Sequence, residues 1–281
     1  MKLYITGGSG YLGATLVHLA TLNGWQVGYS VFRHHNPSDA RADIVDLRQR
    51  GQLTDAISQF QPDAVIHTAY VQQDPDLHAI TVLGAIEAAA VSARLRIRHI
   101  HLSSDMVFAG TADEYDEIDI PKPVVPYGTA KAIAEAGVTQ ANPEASIVRT
   151  SLIYSPLSMP PSRHEQLALD AAAGLNDMAF FVDEMRCPVL VDELASALLI
   201  LIGQKHRGPL HLVGAHPISR YDFATKIVNA RGGDSTKLQA SSIATMRLQR
   251  PARLILKSSY SHPAWRLRGV HEVLPDPPRT P

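Results

Sequence analysis

Through residues 1–150, short apolar runs alternate with stretches whose apolar positions recur at helical spacing. Residues 2–6 read as a strand, 11–22 as a helix and 25–32 as a second strand. Residues 47–59 are helical, 64–67 form a buried strand, and 77–93 form an Ala-rich helix. Strand 99–103, helix 127–139 and strand 146–149 complete the series. A strand buried on both faces shows as an unbroken apolar run, and strands alternating with helices build βαβ units. The pattern therefore predicts an α/β fold, a doubly wound parallel sheet with helices on both faces and right-handed crossovers.

Beyond residue 150 the pattern loosens. Residues 155–163, rich in Pro and Ser, read as a mobile loop. Two strand–helix pairs follow, 179–182 with 191–202 and 210–213 with 220–230. The expected division is a sheet domain over residues 1–155, with further sheet contributions from about 178–215. Residues 156–281 then form mainly a small, discontinuous α/β substrate-binding part over the carboxyl ends of the strands. The closing HEVLPDPPRT sequence reads as part of an irregular tail, 271–281.

Composition adds exclusions. In 281 residues, 45 % are hydrophobic and the net charge is −1, which suits a core-forming protein and gives no basic surface for nucleic acid or anionic membrane. The single cysteine, Cys187, excludes an intramolecular disulfide and a CxxC metal site. The N-terminal apolar run breaks at Gly7, too soon for a signal peptide, and the run 194–202 is far short of the ~20 residues of a membrane span. A cytoplasmic, soluble protein is expected. The 13 histidines are scattered, and His34-His35 and the alternating His99 and His101 lack carboxylates at ligand spacing, so no metal site is expected.

The first strand runs into Thr6-Gly7-Gly8-Ser9-Gly10-Tyr11-Leu12-Gly13. Glycines there let backbone N–H groups approach a pyrophosphate, at the positive end of the helix that follows, and Gly13 permits close helix–strand packing. Strand, glycine loop and helix in that order are the context of a Rossmann dinucleotide site rather than a structural turn. After the second strand comes Arg33, where an acidic residue would bind a ribose 2′-hydroxyl. A cation there favours NADPH over NADH, unless Arg33 is a solvated surface residue. Asp46, beside Leu47, either accepts from the adenine amino group or caps a helix.

Tyr127 and Lys131 stand at i and i+4 on one helix face. An ammonium one turn away is expected to draw the tyrosine pKa down from about 10 towards the working range. The strand at 99–103 ends in Ser103-Ser104-Asp105, at the crevice where such sheets bind ligands. Ser104 is expected to hold a substrate oxygen while Tyr127 gives or takes its proton and a hydride passes at the nicotinamide.

TGGSGYLG, VIHTAY at 65–70, LSSDMVF at 102–108, YGTAK at 127–131 and IVRTSLIYSP at 147–156 resemble, in order and spacing, the extended short-chain dehydrogenase/reductases. Within them the chain is most similar to the dTDP-4-dehydrorhamnose reductases. The resemblance implies Ser104, Tyr127 and Lys131 as catalytic triad. It implies cofactor contacts from Gly7, Gly10, Tyr11, Leu12, Gly13, Thr68, Ala69, Tyr70 and Ser103. Asp105 either touches substrate or caps the next turn. Arg186 falls where sugar-nucleotide epimerases place a diphosphate-binding arginine, and Arg250 resembles a second such position; two guanidiniums can clamp a diphosphate, or each can be a structural ion-pair partner. Thr81 stands where the asparagine that supports the active-site lysine usually stands.

The implied activity is NADPH-dependent reduction of a 4-keto nucleotide sugar. The alternatives are an epimerase or dehydratase that retains NAD, or a cofactor-binding regulatory subunit without turnover. Helices 77–93 and 127–139 are candidates for an intersubunit bundle in a homodimer, or pack within one subunit.

Overall fold

The computed structural model describes residues 1–32, 40–73, 75–245 and 250–274. In chain order it contains β1 (Lys2–Thr6), α1 (Tyr11–Leu22), β2 (Gln26–Val31), β3 (Arg41–Ile44), α2 (Gln52–Phe60) and β4 (Ala64–His67). A π-helical stretch, Leu77–Leu83, continues into α3 (Gly84–Leu95), followed by β5 (Arg98–Ser104), α4 (Pro126–Ala141) and β6 (Ser146–Thr150). Then come β7 (Ile153–Tyr154), α5 (Arg163–Ala172), β8 (Ala179–Phe181), β9 (Met185–Arg186), β10 (Val189–Leu190) and α6 (Val191–Ile202). The last elements are β11 (Gly208–His211), β12 (Ile218–Ser219), α7 (Arg220–Ala230), β13 (Gln239–Ser241) and α8 (Val270–Val273).

Seven strands form the expected parallel sheet, in the order β11-β6-β5-β4-β1-β2-β3. Successive side chains leave a strand on opposite faces. Leu3, Ile5, Ala64, Ile66, Ile100 and Leu102 thus meet Leu12, Leu16, Leu194 and Leu198 of α1 and α6 on one face. Tyr4 and Val65 meet α2 and α3 on the other, where Ile147 packs on Ala85, Ala89, Ala134 and Val138. The strand order reverses between β1 and β4, so the loops after them diverge and leave a crevice at their carboxyl ends.

Several elements differ from the sequence pattern. β3 lies at the sheet edge, half exposed, and its sequence RADI carries no apolar run. α2 begins only at Gln52, because Gly51 in the left-handed region ends a turn that Arg48 ties to Asp46. Of the sheet contributions expected over 178–215, β11 joins the main sheet; β8 pairs instead with β13. The loop expected to Arg163 gives way there to α5, whose Glu165 reaches back to the Ser162 N–H at 2.8 Å. Ser162-Arg163-His164-Glu165 is the capping-box pattern that marks such a start. At the C-terminus α8 occupies the beginning of the expected irregular tail, with Val270 and Leu274 packed against Phe223 and Ile227; residues 275–281 lie outside the described residues.

The 19 residues Leu77–Leu95 are long and apolar enough, by length and composition, to cross a membrane, and half of them are buried in the fold. They pack against α2, α4 and the sheet.

One buried clamp ties α4 to two strands. Glu135 on α4 accepts from Ser103 of β5 at 2.5 Å and from Arg149 of β6 at 2.9 and 3.1 Å. Breaking a buried ion pair strands a charge in a low-dielectric interior. Glu135→Leu is expected to cost about 3–5 kcal/mol in urea unfolding, and Glu135→Leu with Arg149→Met to recover most of it. Equal losses in the single and double variants would contradict a paired clamp.

Candidate active site

The carboxyl ends of β1, β4, β5 and β6 open on a cavity of about 430 Å³. Gly7, Gly10, Tyr11, Leu12 and Gly13 line one side of it. The loop is wound tightly on itself: Gly10 N–H donates to Gly7 O at 2.9 Å, and Gly8 N–H to Ser30 O at 3.0 Å. A Cβ on Gly13 would lie 2.2 Å from Gly7 O, so only glycine lets α1 start this close to β1. α1 has no side-chain cap, leaving its first N–H groups turned to the cavity mouth. This cradle fits a dinucleotide pyrophosphate.

Thr68 and Tyr70 follow β4 and line the same cavity. Thr68 is fixed by its hydroxyl on Thr6 O at 2.7 Å. Ala69 instead sits behind the loop, its Cα 2.9 Å from where a Gly7 Cβ would be. Ser103 lines the wall, but its hydroxyl turns away to Glu135. Asp46 and Leu47 lie apart from the cavity wall. The Asp46 carboxylate is gripped by Arg48 at 2.9 Å, and Arg48 stacks over Phe32 at 5.0 Å, while Leu47 packs towards Gly84. Arg33 lies outside the described residues.

At the centre of the cavity stand Ser104, Tyr127 and Lys131. Ser104 ends β5, donates to Asp105 at 3.2 Å and accepts from Met106 N–H at 3.2 Å. α4 opens with Pro126 in its first turn, and Tyr127 follows. Gly128 lets that turn lie against the strand end, since a Cβ there would be 2.1 Å from Met106 O. Tyr70 covers Tyr127, with ring centroids 5.8 Å apart, and lies 5.2 Å from the Lys131 ammonium. Lys131 is buried and donates to Leu102 O at 2.8 Å.

These contacts reverse one expectation. Burial, then Tyr70 and Asp105, push the Tyr127 phenol well above its usual pKa; hydrogen bonding with Ser104 works the other way. Lys131 spends its ammonium on the Leu102 carbonyl and, by burial, is itself lowered to about 8, with Glu135 opposing. Tyr127 is therefore held protonated, the state that donates a proton. Thr81 does not reach the lysine. It sits in the π-helical stretch, donates to Val71 O at 2.8 Å and accepts from Val71 N–H at 3.0 Å, fastening the segment that follows Tyr70. Beneath Lys131, His67 and His101 stack at 5.5 Å on the α4 side of the sheet, neutralised by burial.

Asp105 is buried and takes the Ser151 hydroxyl at 2.6 Å, with Arg186 at 3.9 Å; burial raises its pKa. Arg186 and Arg250 both line the cavity, and each is an ion-pair partner here, one of the two roles the sequence left open. Arg186 is buried and spends its donors on Glu184 at 2.9 Å, Met185 O at 2.8 Å and Pro251 O at 3.0 Å. Arg250 holds the same Glu184 at 2.9 and 3.1 Å and lies over Phe181. The sequence reading missed Glu184, Arg163, His164 and Arg220, which line this end of the cavity. No local motif marks them, because three separate elements bring them together.

A glycine-loop Rossmann sheet with Ser, Tyr and Lys at its crevice defines an NAD(P)-dependent oxidoreductase of the extended short-chain dehydrogenase/reductase class. The chain belongs to the RmlD substrate binding domain family, whose model matches residues 1–271. It is 30% identical over 264 residues to the probable low-salt glycan biosynthesis reductase Agl14 of Haloferax volcanii, covering 90% of this chain and 87% of that one. It is 28% identical over 255 residues to methionine adenosyltransferase 2 subunit beta of Rattus norvegicus, covering 85% and 74%. The crystal structure of dTDP-4-dehydrorhamnose reductase (rfbD) from Bacillus anthracis str. Ames in complex with NADP superposes with a TM-score of 0.79 at 21% identity, covering 97% and 96%.

Two outcomes test the site. Gly128→Ala forces a methyl into the Met106 carbonyl, so a loss of about 1–3 kcal/mol in thermal or urea unfolding is expected, with a parallel fall in turnover. For Lys131, the unfolded chain keeps the ammonium proton up to its ordinary 10.5 whereas the fold releases it near 8. Stability relative to Lys131→Met should therefore rise with pH between those values, by up to about 3 kcal/mol. A flat difference between the two proteins across that range would refute the buried-lysine assignment.

Proposed function

We propose that this chain uses NADPH to reduce the 4-keto group of a nucleotide-diphosphate sugar. The observation that carries the reading is the meeting of Ser104, a protonated Tyr127 and Lys131 in the cavity that the glycine loop also lines. A reduced nicotinamide bound there would supply a hydride to the keto carbon. Ser104 would turn its one hydroxyl proton from Asp105, to which it donates in the unliganded protein, to the keto oxygen. Tyr127 would hand its proton to that oxygen as negative charge develops, and Lys131 would hold the ribose next to it. Covered by Tyr70 and buried at its base, the tyrosine loses its proton only to a base formed during reaction.

The preference for NADPH is supported by Arg33 and by Arg48, which pairs with the nearby Asp46 and so offsets a carboxylate that would repel a 2′-phosphate. The substrate side would come mainly from residues beyond 156, such as Arg163, His164 and Arg220. A cytoplasmic location fits the lone Cys187, buried with its thiol raised to about 11. The exposed Ile133 on α4 supports a homodimer through this helix.

A second reading, a cofactor-binding subunit without turnover, is favoured by the likeness to methionine adenosyltransferase 2 subunit beta. Oxidation of NADPH and NADH with a dTDP-4-keto-6-deoxy sugar separates the two. Turnover that prefers NADPH and falls about 10²–10⁴-fold in Tyr127→Phe, with cofactor affinity unchanged, is the expected result. Tight cofactor binding with equally inert wild type and variant would overturn the reductase reading and leave the second one, or an epimerase or dehydratase that retains its cofactor.

A further inference from the structure

Residues 68–73, which follow β4, form neither helix nor strand, yet they carry the ring that covers the reacting end of α4. Threonine side chains hold this segment on both sides of Tyr70. Before it, Thr6 Oγ1 accepts from the N–H groups of Thr68 and Ala69 at 3.1 and 3.3 Å, and the Thr68 hydroxyl donates to Thr6 O at 2.7 Å. After it, Thr81 Oγ1 donates to Val71 O at 2.8 Å and accepts from Val71 N–H at 3.0 Å. One hydroxyl thus satisfies both backbone groups of a residue that has no strand neighbour, using its single proton and a lone pair.

Thr81 is buried in the π-helical stretch Leu77–Leu83. Such stretches are rare and concentrate at functional sites. This one meets the site twice. Leu77 and Val82 pack with Ala130 and Tyr127 of α4, and Thr81 carries the tie to Val71. Tyr70 is 45 % exposed, so its ring depends for its position on the backbone that bears it. The ring lies 5.8 Å from that of Tyr127 and 5.2 Å from the Lys131 ammonium. The negative face of an aromatic ring favours the lysine cation, and the bulk of the ring keeps water from the phenol.

The other polar groups facing Tyr127 are Asp105 and Ser104 at the end of β5; the π-helical stretch meets it with apolar side chains. Lys131 is faced by Glu135 on its own helix and by His67 and His101 of the sheet, and Arg163 acts on Tyr70 from the cavity rim. Of these only His67 adjoins residues 68–73, and Thr6 holds its Nδ1 at 2.9 Å. A displaced Tyr70 therefore changes the cover of Tyr127 and leaves its other neighbours in place.

We infer that Thr81 is a positioning residue for the proton donor: by fixing Val71 it holds the Tyr70 ring over Tyr127 and Lys131, and so keeps water off the group that hands over the proton. The consequence for turnover rests on the reductase reading; the cover itself does not. Thr81 thereby serves the Tyr127–Lys131 pair without touching the lysine, through a loop and an aromatic ring.

The test compares wild type, Thr81→Val, Thr81→Ser, Tyr70→Ala and the double variant Thr81→Val with Tyr70→Ala. Ionisation of Tyr127 is read as alkaline difference absorption against the matching Tyr127→Phe protein, with circular dichroism marking the folded range. Turnover with NADPH and a dTDP-4-keto-6-deoxy sugar is recorded alongside. Thr81→Val keeps the side-chain shape and removes both bonds, so Tyr127 should begin to ionise about one pH unit lower. In the same variant kcat should fall about 3- to 10-fold while KM stays within about twofold. Thr81→Ser should restore both readings. Tyr70→Ala should shift them at least as far, and adding Thr81→Val to it should change nothing more, since the tie then has no ring to hold. Wild-type ionisation of Tyr127 in Thr81→Val, with or without a lower melting temperature, would overturn the inference and mark a structural threonine. So would effects of Thr81→Val and Tyr70→Ala that simply multiply. If the wild type reduces no keto sugar while the Tyr127 ionisation shifts as stated, the reductase reading falls and the hold of Thr81 on Tyr70 stands.

Discussion

The site depends on how one helix is laid across two strands. Tyr127, Lys131 and Glu135 are spaced at i, i+4 and i+8 on α4, so they form a single stripe facing the sheet. Each rung of that stripe is fixed differently. Glu135 is clamped by Ser103 and Arg149, Lys131 is held on the Leu102 carbonyl, and the turn bearing Tyr127 is brought down onto Met106 by the absence of a side chain at Gly128. The clamp lies in the dry interior and the reactive end lies at the crevice. A shift of the helix that moved the tyrosine would also strain the clamp, which makes the buried ion pair a positioning device for the chemistry above it.

Burial also sets the charges. The phenol of Tyr127 is enclosed by Tyr70 and faces Asp105, so its neutral form is favoured, and Lys131 at the base of the cavity is moved towards its neutral form by the same loss of water. An acid that keeps its proton until negative charge appears next to it suits the delivery of a proton to a reduced carbonyl. At the far end the opposite holds: guanidiniums outnumber carboxylates, and the Glu184 carboxylate is shared by two of them. The cavity thus runs from a neutral, proton-donating centre to a cationic end.

The chain shares its frame with proteins of unlike roles: a glycan biosynthesis reductase and a methionine adenosyltransferase subunit match it over most of its length. A fold of this kind fixes where a dinucleotide can lie, through strand order and the glycine loop, and leaves the use of the crevice to a few side chains. Thr81 illustrates the point. It bonds both backbone groups of Val71 and so holds a loop.

The sequence by itself determined the parallel sheet, the glycine loop and the Tyr127–Lys131 pair, because each is written in local periodicity or in a spacing of a few residues. β5 and β6 were legible as strands from Ile100 and Leu102 and from Ile147 and Val148; β3 was not, because an edge strand half open to water needs few apolar residues. The capping pattern at Ser162–Glu165 was present but sits in a Pro-rich stretch that reads as loop. What the tertiary structure decided is the protonation of Tyr127 and the division of labour among the arginines. Desolvation depends on what covers a group, and Tyr70 covers Tyr127 from another strand end. Whether an arginine is open or spent depends on which carboxylates and carbonyls the fold brings to it: Arg186 meets Glu184 and Pro251, whereas Arg220 meets the cavity. Nothing in the spacing of those residues along the chain encodes that difference, because it arises only where β9, α7 and the segment at 250–251 converge.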